Sequence, residues 1–497
     1  MIAAALVAAM SALVQAPAAT GAAQAPASPH VNEAIWVASW GGVPPDARNH
    51  FQMVRLSGAF QPLAESESVN PEDLARRLKT LPRGRRAMLI GRYAGSFWGH
   101  RPDQTEHGAL KFATPWPDAA ITGIERDWPR ILQLLKFCGG DVDLLVADFE
   151  DWCQFITWGI SDTQIEALRA DPRWTQAKYG VPSMAEQLAS LQDVPARSIR
   201  GTADGNYFKW NLAIGRVTAA AMNEALWKPA RSAFPNVIGC NYQGQRSMDR
   251  PAPDLNGHQQ PQDNVFGNAA SPSLYGEASS IVNLFIDPAD PTRIAWQGTV
   301  HMKRGPWPSF LICQQQARSC VRGAPEVPLV PWIAHLSYEG DVAGAGFVGF
   351  PKDPRCYDEN LRHVALLGTP TFLWWRSMEA PPQPDTSRLD AVISEINGRT
   401  LGRIKQPADV EPISFLSDVV VTGGRRHDGR WVWRVTASPE VALLREVGTG
   451  REWAPTADTL GFWVETAEKV APRWEVARRR NPSEPSLARP VKPAPPP

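Results

Sequence analysis

The chain has 497 residues, enough for one barrel-sized domain with a smaller companion or for two to four average domains. Its 51 Lys and Arg balance 51 Asp and Glu, and no basic run interrupts the globular part, which argues against a nucleic-acid or anionic-membrane partner. Trp is the outlier, 20 against 7 Tyr; indole faces stack on the C–H faces of sugar rings, and a Trp-rich core is the alternative that composition leaves open.

The first residues, MIAAALVAAMSALVQAPAATGAAQAPASP, run from an apolar stretch into small residues and a Pro/Ala spacer. Residues 1–27 therefore read as a secretory signal peptide and spacer cleaved between Ala16 and Ala27, without the usual preceding Lys or Arg. A secreted or periplasmic protein is expected. No later segment reaches the ~18 uninterrupted apolar residues of a membrane span.

Over 31–400, apolar runs alternate with helix-like segments. Strands are expected at 34–41, 51–57, 86–93, 143–150, 236–242, 270–275, 328–337 and 371–376. Helices are expected at 71–80, 124–138, 183–192, 208–234 and 356–367. Eight strands alternating with helices predict an α/β fold, a TIM-type (β/α)8 barrel with insertions. The region 276–327 reads as a long inserted loop. Of six cysteines, Cys313 and Cys320 bracket the polar segment QQQARS and are the best candidate disulfide. Their spacing is not C-x-x-C and no nearby His completes a zinc set, so neither metal nor cofactor is expected.

From 408 the texture changes. ISFLSDVVVTG, GRWVWRVTAS, VALLREVGTG and GFWVETA alternate between Gly-containing turns, predicting a small antiparallel β-sandwich-like domain over 408–477 that packs on the barrel or binds sugar. The Pro-rich, basic tail 478–497 is expected to be disordered.

The segment with chemical content is Asp143–Trp152, DLLVADFEDW. Side chains alternate along a strand, so Leu144, Val146, Asp148 and Glu150 share one face, and Leu145, Ala147 and Phe149 share the other. In a parallel barrel the first face fills the core, while its C-terminal end opens on the mouth where chemistry is done. Asp148 and Glu150 would stand roughly 7 Å apart at Cα. Close carboxylates disfavour double ionisation, which keeps one protonated as a general acid. The plainer reading is a strand end with Asp151 capping the next helix. The apolar run, the fourth position in the strand count, and Trp152 and Trp158 close behind favour the active-site reading.

VADFEDW resembles the strand-4 signature of the animal and venom hyaluronidases, an apolar strand ending in D-x-E. It is also similar to the chitinase-type D-x-x-D-x-D-x-E, matching at Asp143, Asp148 and Glu150, with Val146 in place of an Asp. The resemblance implies Glu150 as acid/base and Asp148 as the group that orients the substrate's 2-acetamido nucleophile. Where the hyaluronidase motif continues Arg-Pro, this chain has Cys153-Gln154. SPSLYG at 271–276 resembles the hyaluronidase strand-6 segment and implies Tyr275 as a further acetamido contact. TFLWW at 371–375 is similar to the strand-8 segment whose Trp floors the −1 sugar, which implies Trp374 or Trp375.

Trp40, Arg92, Tyr93 and Tyr242 end other strands and are expected, with Trp152, to line the mouth; each alone reads first as a packing residue, and only together do they make an aromatic-rich rim. Glu339, Asp341 and Glu277 are the acids that a two-carboxylate scheme would use. His301, His335 and His363 read as structural. There is no G-x-S-x-G elbow, P-loop, G-x-G-x-x-G or H-E-x-x-H. The sequence thus points to a retaining glycoside hydrolase cleaving β-linked N-acetylhexosamine polysaccharide (hyaluronan, chondroitin or chitin-like) by substrate-assisted catalysis. The alternatives are a two-carboxylate glycosidase on acetamido-free glycans and a non-catalytic glycan-binding barrel.

Overall fold

The computed structural model describes residues 34–40, 43, 47–56, 71–90, 103–104, 110–111, 118–147, 166, 169–177, 179–190, 220–241, 267–272, 274, 285–286, 300–301, 306–323, 325–334, 353–375, 386–408 and 410–481. Two four-stranded parallel sheets carry the first four hundred residues. One holds β1 (Trp36–Ser39) and β2 (His50–Gln52), the other β3 (Val54–Leu56), β4 (Ala87–Ile90), β5 (Leu144–Ala147) and β6 (Ile238–Asn241). The first is completed by β7 (Trp332–Ala334) and β8 (Thr371–Trp375) in the order β7-β8-β1-β2, and the second runs β3-β4-β5-β6.

The sheets meet on both sides. Between β2 and β3 only Met53 intervenes, and its N–H donates to Ser39 O at 2.8 Å. Beyond β6, Gly239 O accepts from the N–H groups of Asn268 and Ala269. Residues 270, 272 and 274 then exchange bonds with 328, 330 and 332: Ala270 N to Pro328 O, Val330 N to Ala270 O, Trp332 N to Pro272 O and Leu274 N to Trp332 O. The architecture is mixed α/β, with two parallel sheets linked through Met53 and through the 267–274 stretch.

The strands divide their residues between two layers, as parallel strands covered on both faces must. Trp36, Ala38, Met53, Ala87, Leu89, Leu144, Val146, Ile238, Cys240, Ala269, Val330, Trp332 and Leu373 form one inner cluster fed from every stretch. The alternate residues face helices. Val54, Leu56, Met88, Ile90, Leu145 and Ala147 pack with α1 (Pro71–Lys79), α2 (Asp118–Phe137) and the helix at 220–233, whose last part is α4 (Lys228–Ala233). Between α2 and α4, Ser183 caps α3 (Met184–Ser190) in a reciprocal bond with Glu186. On the other half, Val37, Ile333, Phe372 and Trp374 pack against α5 (Pro306–Gly323), α6 (Pro354–Ala365) and α7 (Thr386–Thr400).

Residues 223–227 widen into a π turn. The turn leaves Leu226 O to accept from Trp128 Nε1 at 2.9 Å, while Asn223 Oδ1 takes the Gly267 N–H at 2.9 Å, tying the helix to the strand stretch beside β6.

Several expectations are corrected. The stretch 276–327 is no inserted loop throughout: α5 occupies 306–323, and Cys313 and Cys320 lie two turns apart on it, both buried and not joined in a disulfide. Seven residues of helix rise about 10 Å, well beyond the span of a disulfide. The QQQARS segment is polar because it is buried between layers rather than exposed. Gln314 donates to Asn360 Oδ1, Gln315 accepts from Ile413 N, and Arg318 donates to Glu411 O and Val421 O. Helix α7 is an addition that the sequence reading missed, and α2 begins at Asp118 rather than 124.

After α7 the strands turn antiparallel: β9 (Gln406–Pro407), β10 (Val419–Arg425), β11 (Trp431–Ala437), β12 (Val441–Glu446), β13 (Glu452–Trp453), β14 (Gly461–Thr466) and β15 (Trp474–Arg479). They form sheets β9-β10-β11-β14 and β13-β12-β15, with Val435, Ala437, Val441 and Leu444 buried in one cluster that draws on both. Strand β15 carries Arg478 and Arg479, so the extended chain continues past the expected boundary at 477; residues 482–497 lie outside the described residues. No helix among the described residues is long and apolar enough to cross a membrane.

The other face of β11 is polar and buried. Arg434 grips Glu359 of α6 through Nε and Nη2, Thr436 donates to the same carboxylate at 2.7 Å, and Arg362 reaches it at 3.0 Å. His363 bridges Thr422 and Thr436 at 2.6 and 2.9 Å, as expected of a structural histidine. Burial pushes the Glu359 carboxyl up, but the Arg434 charge and hydrogen bonds outweigh it and hold it at about 2, against an ordinary 4.5. Burial pushes the His363 imidazole well below its ordinary 6.5.

Both groups have depressed values in the folded state, so their contribution is present above the unfolded values and lost as pH falls. Stability measured by urea unfolding is expected to decline from about pH 6.5 downward. Glu359→Gln is expected to make the slope below pH 4.5 shallower, leaving the share of His363 and Glu395, and to cost on the order of 3 kcal/mol at pH 7. Burial also raises the Cys240 and Cys320 thiols to about 12 and Cys356 well above its usual range. Under native conditions iodoacetamide should modify half-buried Cys138 before Cys240, Cys313, Cys320 or Cys356, as read by peptide mass spectrometry.

Candidate active site

The two ends of the parallel sheets differ in chemistry. At the N-terminal end Asp143 accepts from the backbone N–H groups of Gly84 and Arg86 at 2.9 and 3.0 Å. Arg85 donates to Ala34 O at 2.8 Å and lies 5.3 Å over the Trp36 ring. Asp143, the first acid of the chitinase-like pattern, therefore stitches a turn at the end opposite the strand ends.

At the C-terminal end, β5 runs with β4 on one side and β6 on the other. Leu144 and Val146 belong to the inner cluster, and Leu145 and Ala147 to the helix-facing one. Val146 is level with Leu89 and Cys240, and the chain proceeds from there through Ala147 to Asp148. Asp148, Glu150, Trp152, Arg92, Tyr93, Tyr242 and Tyr275 lie outside the described residues, as do Glu277, Glu339 and Asp341. Trp375 is the last residue of β8, and its side chain lies outside them too.

Of the sequence-derived candidates, Trp40 is at the strand ends. It follows β1, its N–H donates to Trp374 O at 2.9 Å, and its half-buried ring packs on the inner cluster. The Trp332 ring is 6.1 Å away, and the Arg55 guanidinium carbon lies 5.1 Å from the Trp40 ring centroid. Arg55 is level with Leu89, so it has inner parity one residue before the end of β3. Burial lowers its pKa from the ordinary arginine value.

Trp374 is placed differently from expectation. Leu373 takes the inner face of β8, so Trp374 falls on the outer face beside Phe372, 1 % exposed, with the His50 ring 5.5 Å away. It cannot floor a sugar at the inner face; in the pair Trp374/Trp375, parity with Leu373 belongs to Trp375. Sequence reasoning missed Trp332 and Arg55. Arg55 carried a signal: a single cation in FQMVRLS, two residues beyond Met53 and four beyond Phe51, both of inner parity.

No protein-family model matches the chain, and no curated protein matches it. Among solved structures it is similar to SrfJ from Salmonella typhimurium, at 11% identity and TM-score 0.32, over 79% of this chain and 71% of that one. It is similar to the GH36 alpha-galactosidase AgaB from Geobacillus stearothermophilus, at 8% identity and TM-score 0.35, over 88% and 54%. It is similar to a bacterial fucosidase, at 10% identity and TM-score 0.20, over 84% and 79%. The chain spans about half the length of the GH36 alpha-galactosidases it matches. Similarity at these TM-scores assigns no activity.

Because Trp374 belongs to the helix-facing layer, Trp374→Ala should cost about 3–5 kcal/mol of stability in urea unfolding.

Proposed function

We propose that residues 31–400 form a (β/α)8 barrel and that the protein is an exported glycoside hydrolase, with residues 408–477 as a β domain packed on the barrel. It cleaves β-linked N-acetylhexosamine polysaccharide with retention. The observation that carries this reading is the alternation of β5: Leu144 and Val146 face the inner cluster, and Asp148 and Glu150 continue the same parity in sequence at the strand's C-terminal end. The solved structures named above include proteins named as alpha-galactosidases and a fucosidase; the reading rests on β5.

In this reading Glu150 enters protonated and gives its proton to the glycosidic oxygen as that bond breaks. The substrate's acetamido oxygen attacks the anomeric carbon from the opposite face, and ionised Asp148 holds the acetamido N–H and offsets the oxazolinium charge. Water then opens the ring, Glu150 takes its proton, and the configuration is retained. No protein nucleophile is required, an exception to the two-carboxylate scheme. Trp40 supplies an aromatic wall at the strand ends, where half-burial leaves part of its ring accessible.

The test is turnover of hyaluronan, chondroitin, chitin oligosaccharides and acetamido-free β-glucans. Cleavage confined to N-acetylhexosamine substrates is expected, with kcat falling about 10²–10⁴-fold in Glu150→Gln and by a similar factor in Asp148→Asn. Cleavage of acetamido-free glycans that survives Asp148→Asn would place the second acid at Glu339, Asp341 or Glu277. Binding without turnover of any glycan would identify a non-catalytic barrel.

A further inference from the structure

Arg55 has a cationic head at the inner face of β3 and, among the described residues, no acidic partner. Arg55 is half-buried, and the more deeply buried arginines of the described residues have their charge or most of their N–H groups taken up. Arg434 and Arg362 hold Glu359 and Glu395, Arg355 holds Asp353, and Arg318 is wrapped by Glu411 O, Val421 O and Thr422. A partly desolvated cation is costly unless an anion or several acceptors meet it. What Arg55 has instead is the Trp40 ring, 5.1 Å from its guanidinium carbon. A contact of that kind fixes the head without consuming the N–H donors at its edge, the fork that grips a carboxylate or sulfate bidentately.

The position matters as much as the charge. Arg55 is level with Leu89, and Leu89 with Val146, so one strand separates Arg55 from β5 at a level one step below Asp148 in the sequence. Adjacent strands are about 4.8 Å apart, which puts Arg55 within about 10 Å of the β5 backbone, the span of one sugar residue and its substituent. We propose that Arg55, braced on Trp40, is a specificity-determining residue that takes an anionic substituent, carboxylate or sulfate, on a sugar bound at the ends of β1 and β3. The inference rests on the glycosidase reading of the same strand ends.

The experiment is titration calorimetry on the full chain carrying Glu150→Gln, which leaves bound oligosaccharide uncut. The ligands are an unsulfated uronate-containing tetrasaccharide, a sulfated tetrasaccharide lacking uronate, and chitotetraose. Arg55→Met is expected to weaken at least one anionic ligand about 10–100-fold and chitotetraose less than twofold, and whichever anionic ligand responds names the substituent. Arg55→Lys keeps the charge without the fork and is expected to fall between; it also serves where Arg55→Met melts early.

Equal weakening of anionic and neutral ligands would show Arg55 to be paired within the protein, and unchanged affinity for all three would show that it reads nothing. Either result overturns the inference while leaving wild-type glycan cleavage, and with it the glycosidase reading, intact. Absence of binding to any of the three, together with absence of wild-type turnover, overturns both.

Discussion

A parallel strand covered on both faces has no solvent side, and this constraint organises most of the molecule. Each short strand must satisfy an inner layer with one set of alternate residues and a helical layer with the other. The demand explains why β1, β4, β5 and β6 are buried along their whole length. It also explains where small residues are needed. A Cβ on Gly239 would fall 2.4 Å from the Trp227 ring, so β6 accepts that indole only because residue 239 has no side chain. A polar or charged residue with inner parity is therefore conspicuous, since the buried layer it enters is otherwise Trp, Leu, Ile, Val, Met, Ala and Cys.

The alternation was legible in the sequence because burial on two faces writes itself as an apolar run. The stretches 34–41, 51–57, 86–93, 143–150, 236–242, 270–275, 328–337 and 371–376 each hold a described strand or an extended, hydrogen-bonded segment. What composition could not show was where polar residues are buried. QQQARS reads as a loop by composition, yet Gln314, Gln315 and Arg318 are among the least exposed side chains, because α5 is enclosed by the parallel layer, α6 and the segment leading to β10. The same blindness produced the disulfide expectation: spacing along a chain says nothing of distance until the helix is known.

At the candidate site, a side chain's face was readable and its role was not. Counting by twos from Leu373 sends Trp374 outward, and counting by twos from Met53 sends Arg55 inward; both follow from alternation alone. The motif resemblance picked out a pair of tryptophans where alternation distinguishes between them. Arg55 escaped notice because a lone Arg in an apolar run looks like a strand edge until its neighbours on both sides are known. The acids themselves are legible only as sequence, by the parity they share with Leu144 and Val146.

The grip of Arg434 on Glu359 has an evolutionary consequence. Neither residue can be exchanged alone without stranding a buried charge, and Gly461, whose absent Cβ would lie 3.0 Å from Glu359 Oε2, is bound into the same site. Helix α6 and strands β11 and β14 must therefore diverge as a set. Descendants of this chain should keep the β sheets and the parallel strands together, as one inherited unit rather than modules open to recombination.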